Sequence, residues 1–478
     1  MRALAQLAVE AALAAGAAYA DARAVTRRTQ DISCRNGRVE TLDDAETEGI
    51  GVRVLVDGAW GFAADRRLDE QGARAAAARA TAFARAAGGR GPKALAPLGA
   101  VSGSYRTPFE INPFSIPLAD KVALCLRAEA ALAHAGVTMR QASLRALREH
   151  RVLVTSEGVV TDQEIVECGG GIDATATTDD LHQVRSYPSA HGGLSAQAGW
   201  EHVLALGLER EAPRVGEEAA ALLQAPPAPA GVMDVVIDAE QMALQVHESV
   251  GHAVELDRIY GTEASYAGTS FLAPGDLDRL QYGSARMNVT SDATTPRGLG
   301  SFGFDDEGVP GVRQPIVAEG VLRGFLASRE TAAALGRGDG GTMRADGWSR
   351  MPLVRMTNLH LEPGDGGSLD ELVDGVREGI LLATNRSWSI DDKRLNFQFG
   401  TQVAWEIRNG RRGRLLRDAT YTGVTPQFWG SLDAVGGPDE WRLYGLTNCG
   451  KGQPGQSAHV SHGAAPARFR GVQVGRVA

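Results

Sequence analysis

Apolar residues recur at helical spacing over residues 4–18 (LAQLAVEAALAAGAA), and the pattern then changes to one that suits strands at 22–34 and near 49–56. Asp57-Gly58 between apolar flanks predicts a hairpin, with WGFAAD as the return strand. Helical spacing returns over 68–87 and over 117–135, the latter with Pro117 at its first turn. Alternating strands are expected through 137–190, and a further helix near 211–224. Residues 225–231 (APPAPAG) carry three prolines, which cannot continue a helix and suit a stiff extended connection. Beyond it, MDVVID reads as a strand and AEQMALQVHESVGHAVE as a helix. From residue 260 the chain is rich in Gly, Thr and short apolar runs, with helices expected near 328–336 and 368–379. The expected fold class is α+β in two domains. An N-terminal domain of mixed helices and strands spans 1–224, a linker 225–231, and a β-rich C-terminal domain carrying the HESVGH helix 232–478.

With 58 acidic and 49 basic residues the chain carries −9, so it has no general attraction for phosphate backbones. The basic run 408–417 reads as a solvated hairpin around Asn409-Gly410 or Arg412-Gly413, not as a nucleic-acid patch. Four cysteines, Cys34, Cys125, Cys168 and Cys449, form no CxxC pair and no disulfide framework, which points to a reducing, cytoplasmic setting. No membrane span is expected. Glu10 interrupts the Ala-rich N-terminal stretch, which therefore reads as a surface helix rather than a cleaved signal.

The candidate chemistry lies in His247-Glu248-Ser249-Val250-Gly251-His252, one residue longer than the HExxH of zinc peptidases. At about 100° per residue, an i,i+5 pair differs by about 140° and faces two directions. Both imidazoles reach one metal only if the helix is bulged or unwound at 249–252, which Gly251 would make easy. Taken alone, the pair reads equally well as two polar residues on opposite helix faces. Cys449, after an apolar run, is the third-ligand candidate, against its reading as a small buried hydrophobe. Gly450–Gly455 matches GxGxxG, but no acid exists after residue 440 to hold a ribose, so the dinucleotide reading is rejected.

HESVGHAVELD, GSFGFDDEGVPG from Gly300 to Gly311, RMPLVRMTN (350–358) and NCGKGQPGQ together resemble the TldD/PmbA metallopeptidase family. The resemblance implies Zn2+ held by His247, His252 and Cys449, with Glu248 as the base that activates water against a peptide bond. It also implies unfolded or short peptide substrates and a dimer, with itself or with a paralogue lacking the zinc motif. Weaker substrate-binding candidates are Asp305 and Asp306 of the acidic run, Arg350 and Arg355 around Pro352, and His462 as an oxyanion donor. For each a plain alternative stands: a solvated turn, structural ion pairs with those acids, and, for His459 and His462, exposed loop residues. Two other functions stay open. One is a regulatory or binding protein with a structural zinc, since some relatives are described as modulators of DNA gyrase; this needs a fourth ligand, such as His462 or Asp257. The other is a zinc hydrolase of a non-peptide amide.

Overall fold

The computed structural model describes residues 1–89, 91, 93–266, 268–338 and 340–475. Its first half is built on one sheet of eight strands, β1 (Tyr19–Arg35), β2 (Arg38–Val56), β3 (Ala59–Asp65), β4 (Ser102–Arg106), β5 (Val137–Thr155), β6 (Val160–Thr177), β7 (His182–Tyr187) and β8 (Leu194–Ala196). The order is β3-β2-β1-β5-β6, antiparallel throughout, with β4 added parallel to β6 and with β7 and β8 antiparallel to β6. Asp57 and Gly58 take φ of 48° and 79°, the left-handed pair that the predicted two-residue hairpin turn requires.

Helices cover this sheet at both ends: α1 (Arg2–Ala14), α2 (Glu70–Ala87), α3 (Leu118–Ala131), α4 (Trp200–Leu206) and α5 (Leu208–Gln224). α1 stops four residues short of the expected end because Gly16, at φ 93°, turns the chain into β1. Alanine makes the close packing possible. Ala5, Ala8 and Ala12 of α1 meet Ala73, Ala76, Ala77, Ala80 and Ala84 of α2 in one core. A second core gathers α3, α4 and α5 over the other end of the sheet.

The proline-rich connection runs extended alongside Arg417, whose N–H donates to Pro226 O at 3.0 Å while Ala228 N–H donates to Arg417 O at 2.9 Å. It leads into β9 (Gly231–Ile237) and then α6 (Ala239–Val246). β9 pairs with Glu378–Ile390 on one side and Ala467–Val474 on the other. The path continues through Thr420–Val424 and Asn396–Arg408, and the last of these pairs back onto Glu378–Ile390, closing a ring of five strands. A separate six-stranded sheet places Asn358–Leu361 beside Gln456–Ala464 and then Arg442–Lys451. α6 packs against strands of both sheets. The architecture is therefore mixed α and β, and the second half is dominated by strands. The expected helix at 368–379 is shorter, Leu369–Asp374, because a strand begins at Glu378. Asn409-Gly410 forms the hairpin turn of the basic run.

Candidate metal centre

Asp238 caps α6, its carboxylate accepting from Gln241 N–H at 2.8 Å. The helix is regular to Val246 and then widens into a π turn over His247–Gly251, with His252 N–H bonded to His247 O at 3.3 Å. This i→i+5 bond is the distortion the spacing requires if both imidazoles are to face one metal. It turns both imidazoles to one side, with ring centroids 4.8 Å apart and planes at 87°. Gly251 serves through space and not through a left-handed φ: a Cβ there would sit 2.1 Å from Met356 Sδ. The rear of the turn is fixed by a buried polar network. Ser249 Oγ receives Trp429 Nε1–H at 2.9 Å and donates to Gln245 O at 2.6 Å, while Tyr282 Oη–H donates to Ser249 O at 2.6 Å.

The third donor arrives from a distant strand. The ladder between Arg442–Lys451 and Gln456–Ala464 slips between Leu446 and Cys449, and Cys449 lies opposite Ala458. Its Sγ is 3.8 Å from His252 Nε2. One donor atom from each of His247, His252 and Cys449 lies within 4.8 Å of the others, and no other such trio of His, Cys, Asp and Glu occurs among the described residues.

The hydrogen bonds behind the rings assign their tautomers. His462 Nδ1 faces the carbonyl of Leu359 at 3.1 Å, so it carries the proton and His462 Nε2 is an acceptor. That acceptor lies 2.7 Å from His247 Nδ1, which must therefore be N–H, leaving the Nε2 lone pair of His247 free. His252 Nδ1 donates to Glu255 Oε2 at 3.1 Å, again leaving Nε2 free. Burial holds His247, His252 and His462 below the ordinary histidine range, so the rings stay neutral. Burial raises Glu255, but Lys451 Nζ, 3.1 Å away, outweighs it and keeps the carboxyl well below its usual range. Burial likewise raises the Cys449 thiol; Arg355 and His252 outweigh it and the net shift is downward. Two neutral imidazole nitrogens and an acidified thiol could together hold a metal ion.

Glu248 sits in the same π turn, and Arg394 Nη1–H donates to its Oε2 at 2.7 Å. His191, from the loop before β8, lies on the same side. Its Nε2–H donates to Asn385 Oδ1 at 3.1 Å, its ring meets Trp388 edge-on, and the Glu248 carboxylate acts on it electrostatically. The loop is bolted to α6 by Glu240, which accepts from Ser189 Oγ–H and Ala190 N–H, both at 3.1 Å.

The weaker candidates fall elsewhere. Asp305, Asp306 and Glu307 form no solvated turn; they are 1%, 0% and 1% exposed. Asp305 accepts from the backbone N–H groups of Glu307, Val309 and Met343. Asp306 pairs with Arg151 at 2.7 Å and Arg23 at 3.5 Å, and Glu307 with Arg53 at 3.1 Å. The run thus ties the two halves of the chain together. Arg355 donates to the carbonyls of Cys449 and Gln456 rather than to these acids. Arg350 reaches Gly455 O at 3.4 Å. His459 and His462 are not loop residues: both lie in the strand Gln456–Ala464, and His459 pairs with Glu167. Both ring nitrogens of His462 are committed as above, so it supports His247 and has no free donor for an oxyanion. Asp257 is held by Lys451 at 2.8 Å and does not join the trio. The sequence reading missed Arg394, His191, Glu255 and Lys451. Glu255, one helical turn after His252, and Lys451, two residues after Cys449, had a signal in their spacing; Arg394 and His191 had none.

Family models described as the first, central and C-terminal domains of PmbA/TldA metallopeptidases match residues 20–84, 111–225 and 230–476. A metalloprotease of Methanothermobacter thermautotrophicus is 31% identical over 460 residues, 96% of this chain and 95% of its own. A zinc metalloprotease TldD homolog of Saccharolobus solfataricus is 26% identical over 251 residues, 52% of each chain. Among solved structures, a candidate modulator of a DNA gyrase from Thermotoga maritima superposes with a TM-score of 0.76 at 19% identity over 99% of both chains. TldE from Thermococcus kodakarensis gives 0.75 at 14%, over 99% of this chain and 100% of its own. Together with the converging histidines and cysteine, these matches establish that the chain belongs to the PmbA/TldD family of metallopeptidases.

Proposed function

We propose that the protein is a zinc-dependent peptidase that hydrolyses peptide bonds of unfolded or short peptides. The observation that carries this reading is the convergence of His247, His252 and Cys449 next to the π turn that holds Glu248. His247 Nε2, His252 Nε2 and Cys449 Sγ would hold the ion. Bound there, zinc would supply a Lewis acid that polarises a carbonyl and acidifies water. Glu248 provides the proton relay. Oε2 is fixed by Arg394, so Oε1 takes the proton of the attacking water and passes it to the departing amine nitrogen.

Among the described residues three donors converge, not four, which supports a catalytic over a structural role, since a catalytic site keeps one position open. Burial supports the substrate class: His247, His252, Cys449 and Glu248 are 2–6% exposed, which an extended or short chain can reach and a folded one cannot. Among the described residues no helix is long and apolar enough to cross a membrane. The free cysteines suit the cytoplasm, and the family resemblance alone supports a dimer, with itself or with a zinc-less paralogue.

The test is elemental analysis of wild type beside Cys449→Ala, with cleavage of a disordered protein and of a panel of small amides measured on both. One zinc per chain, lost together with proteolysis in the variant, is expected. Proteolysis undiminished in a zinc-free variant overturns the reading, and cleavage confined to the small amides replaces the peptide substrate.

A further inference from the structure

Beside the strand that carries Cys449, between the two halves of the chain, lies a cavity of about 50 Å³, room for a carboxylate or a few waters. Four guanidinium groups line it, those of Arg27, Arg151, Arg344 and Arg355. Two have carboxylate partners. Arg27 pairs with Glu149 at 2.6 Å and Asp346 at 2.8 Å, and Arg151 pairs with Asp306 at 2.7 Å and with Glu149. The third acid of the lining, Glu167, is taken by His459.

Arg344 and Arg355 are different, for among the described residues neither forms an ion pair. Arg344 donates only to backbone carbonyls, Met356 O at 3.1 Å, His459 O at 2.7 Å and Leu299 O at 3.4 Å. Arg355 donates to Gln456 O at 3.3 Å and to Cys449 O, and its Nε–H is buried with no partner in a residue 1% exposed. Carbonyl dipoles satisfy hydrogen bonds but do not neutralise charge. Two cations held this way in a half-enclosed space are an unstable arrangement unless an anion joins them. Burial, with Arg355 and Arg151 close by, pushes Arg344 down to about 10, the direction expected of a guanidinium short of negative charge. Glu167 and Asp306 act on it without offsetting this.

We propose that this cavity is an anion site that takes one carboxylate, with Arg344 and Arg355 as its cationic walls. A guanidinium presents paired donors that match a carboxylate's two oxygens. Arg355 also holds the carbonyl of Cys449, so the occupant sits one residue behind a nominated metal ligand. The carboxylate comes either free in solution or as the C-terminus of a peptide. Neither source depends on the centre being catalytic.

Calorimetric titration of the full-length protein at low salt, in a carboxylate-free buffer, tests this. The probes are acetate, an N-acetylated dipeptide and the same dipeptide amidated at its C-terminus. Saturable binding of one acetate per chain is expected, weakened about tenfold or more in Arg344→Gln and kept within a few-fold in Arg344→Lys. A free dipeptide that binds tighter than acetate, with no binding of its amide, assigns the carboxylate to peptides. A dipeptide no tighter than acetate assigns it to a free anion. Should Arg344→Gln fail to fold, Ala345→Asp decides, because Ala345 lines the cavity and the new carboxylate occupies it. That variant is expected to abolish acetate binding without lowering Tm. No saturable acetate binding by wild type, or unchanged binding in Arg344→Gln or in Ala345→Asp, overturns the proposal.

Discussion

Replacing His462 by Phe isolates what the relay behind the metal ligands contributes. In the wild type, Leu359 O accepts from His462 Nδ1–H, and His462 Nε2 accepts from His247 Nδ1–H. Phenylalanine fills the space but removes both bonds. The Nδ1–H of His247, in a residue 2% exposed, then has no acceptor, and nothing fixes which nitrogen carries the proton. Leaving one buried donor unsatisfied costs about 1–3 kcal/mol. That is a factor of about 5 to 150 in an equilibrium constant, in line with the ~10–100-fold effects of losing the groups behind metal ligands. Gln at this position is the control, because its amide can accept from His247 and donate to Leu359 O. Zinc affinity measured by competition with a chromophoric chelator is therefore expected to fall ~10–100-fold in His462→Phe and to recover most of that loss in His462→Gln. Wild-type affinity in His462→Phe would refute the relay. A loss beyond about a thousandfold that Gln does not rescue would instead make His462 a ligand, and with it a closed, structural site.

Glu248→Gln is expected to keep its zinc, by elemental analysis, while peptide hydrolysis falls ~10²–10⁴-fold; retained activity removes Glu248 from the proton path. Gly251→Ala drives a Cβ to 2.1 Å from Met356 Sδ, so chemical denaturation is expected to show a loss of about 1–3 kcal/mol or more. In a double-mutant cycle with Met356→Ala, the cost of adding the Cβ is expected to shrink, because the sulfur it meets is gone. Glu307→Gln takes from Arg53 one of its two carboxylate partners, Asp21 staying at 2.7 Å, and is expected to weaken the junction by about 1–3 kcal/mol, which urea unfolding checks. On acidification, His202 and His360, both pushed down to about 4 chiefly by burial, stay neutral in the fold while the unfolded chain takes up protons near 6.5. Their contribution is complete above pH 6.5 and is lost as the pH falls towards 4, at up to about 1.4 kcal/mol per pH unit per group. Urea melts between pH 6.5 and 4.5 are expected to show that slope, reduced by one proton's worth in His202→Gln.

What the chain disclosed in advance follows from how far each signal reaches along it. The hairpin at Asp57-Gly58, the Ala-rich α1 and α2 and the strand–helix entry at β9 and α6 are local, set by turn chemistry and spacing. The five-residue gap between His247 and His252 is also local, and it required a bulge there if both rings were to meet one metal, which the π turn supplies. Cys449 was legible as a residue type after an apolar run and as part of a family pattern, but not by its position in space. Its approach to His252, 197 positions earlier, depends on where the hairpin with Gln456–Ala464 is placed in the fold, and no period in the sequence encodes that. The acidic run misled for the same reason. Three acids before a glycine look solvated until Arg23, Arg53 and Arg151, all from the first half, are brought against them. Arg394 was hidden more deeply, in a turn of the hairpin joining Glu378–Ile390 to Asn396–Arg408. That hairpin also carries Asn385 and Trp388, which hold His191, so one supersecondary unit sets the position of both Glu248 and His191. In the proposed zinc site, the thiolate would place more charge on the metal than a third imidazole and weaken it as a Lewis acid. The side chains that hold Glu248 in place would then carry a larger share of the work, which is why the hairpin, rather than the ligands alone, is where differences in turnover within this fold are expected to arise.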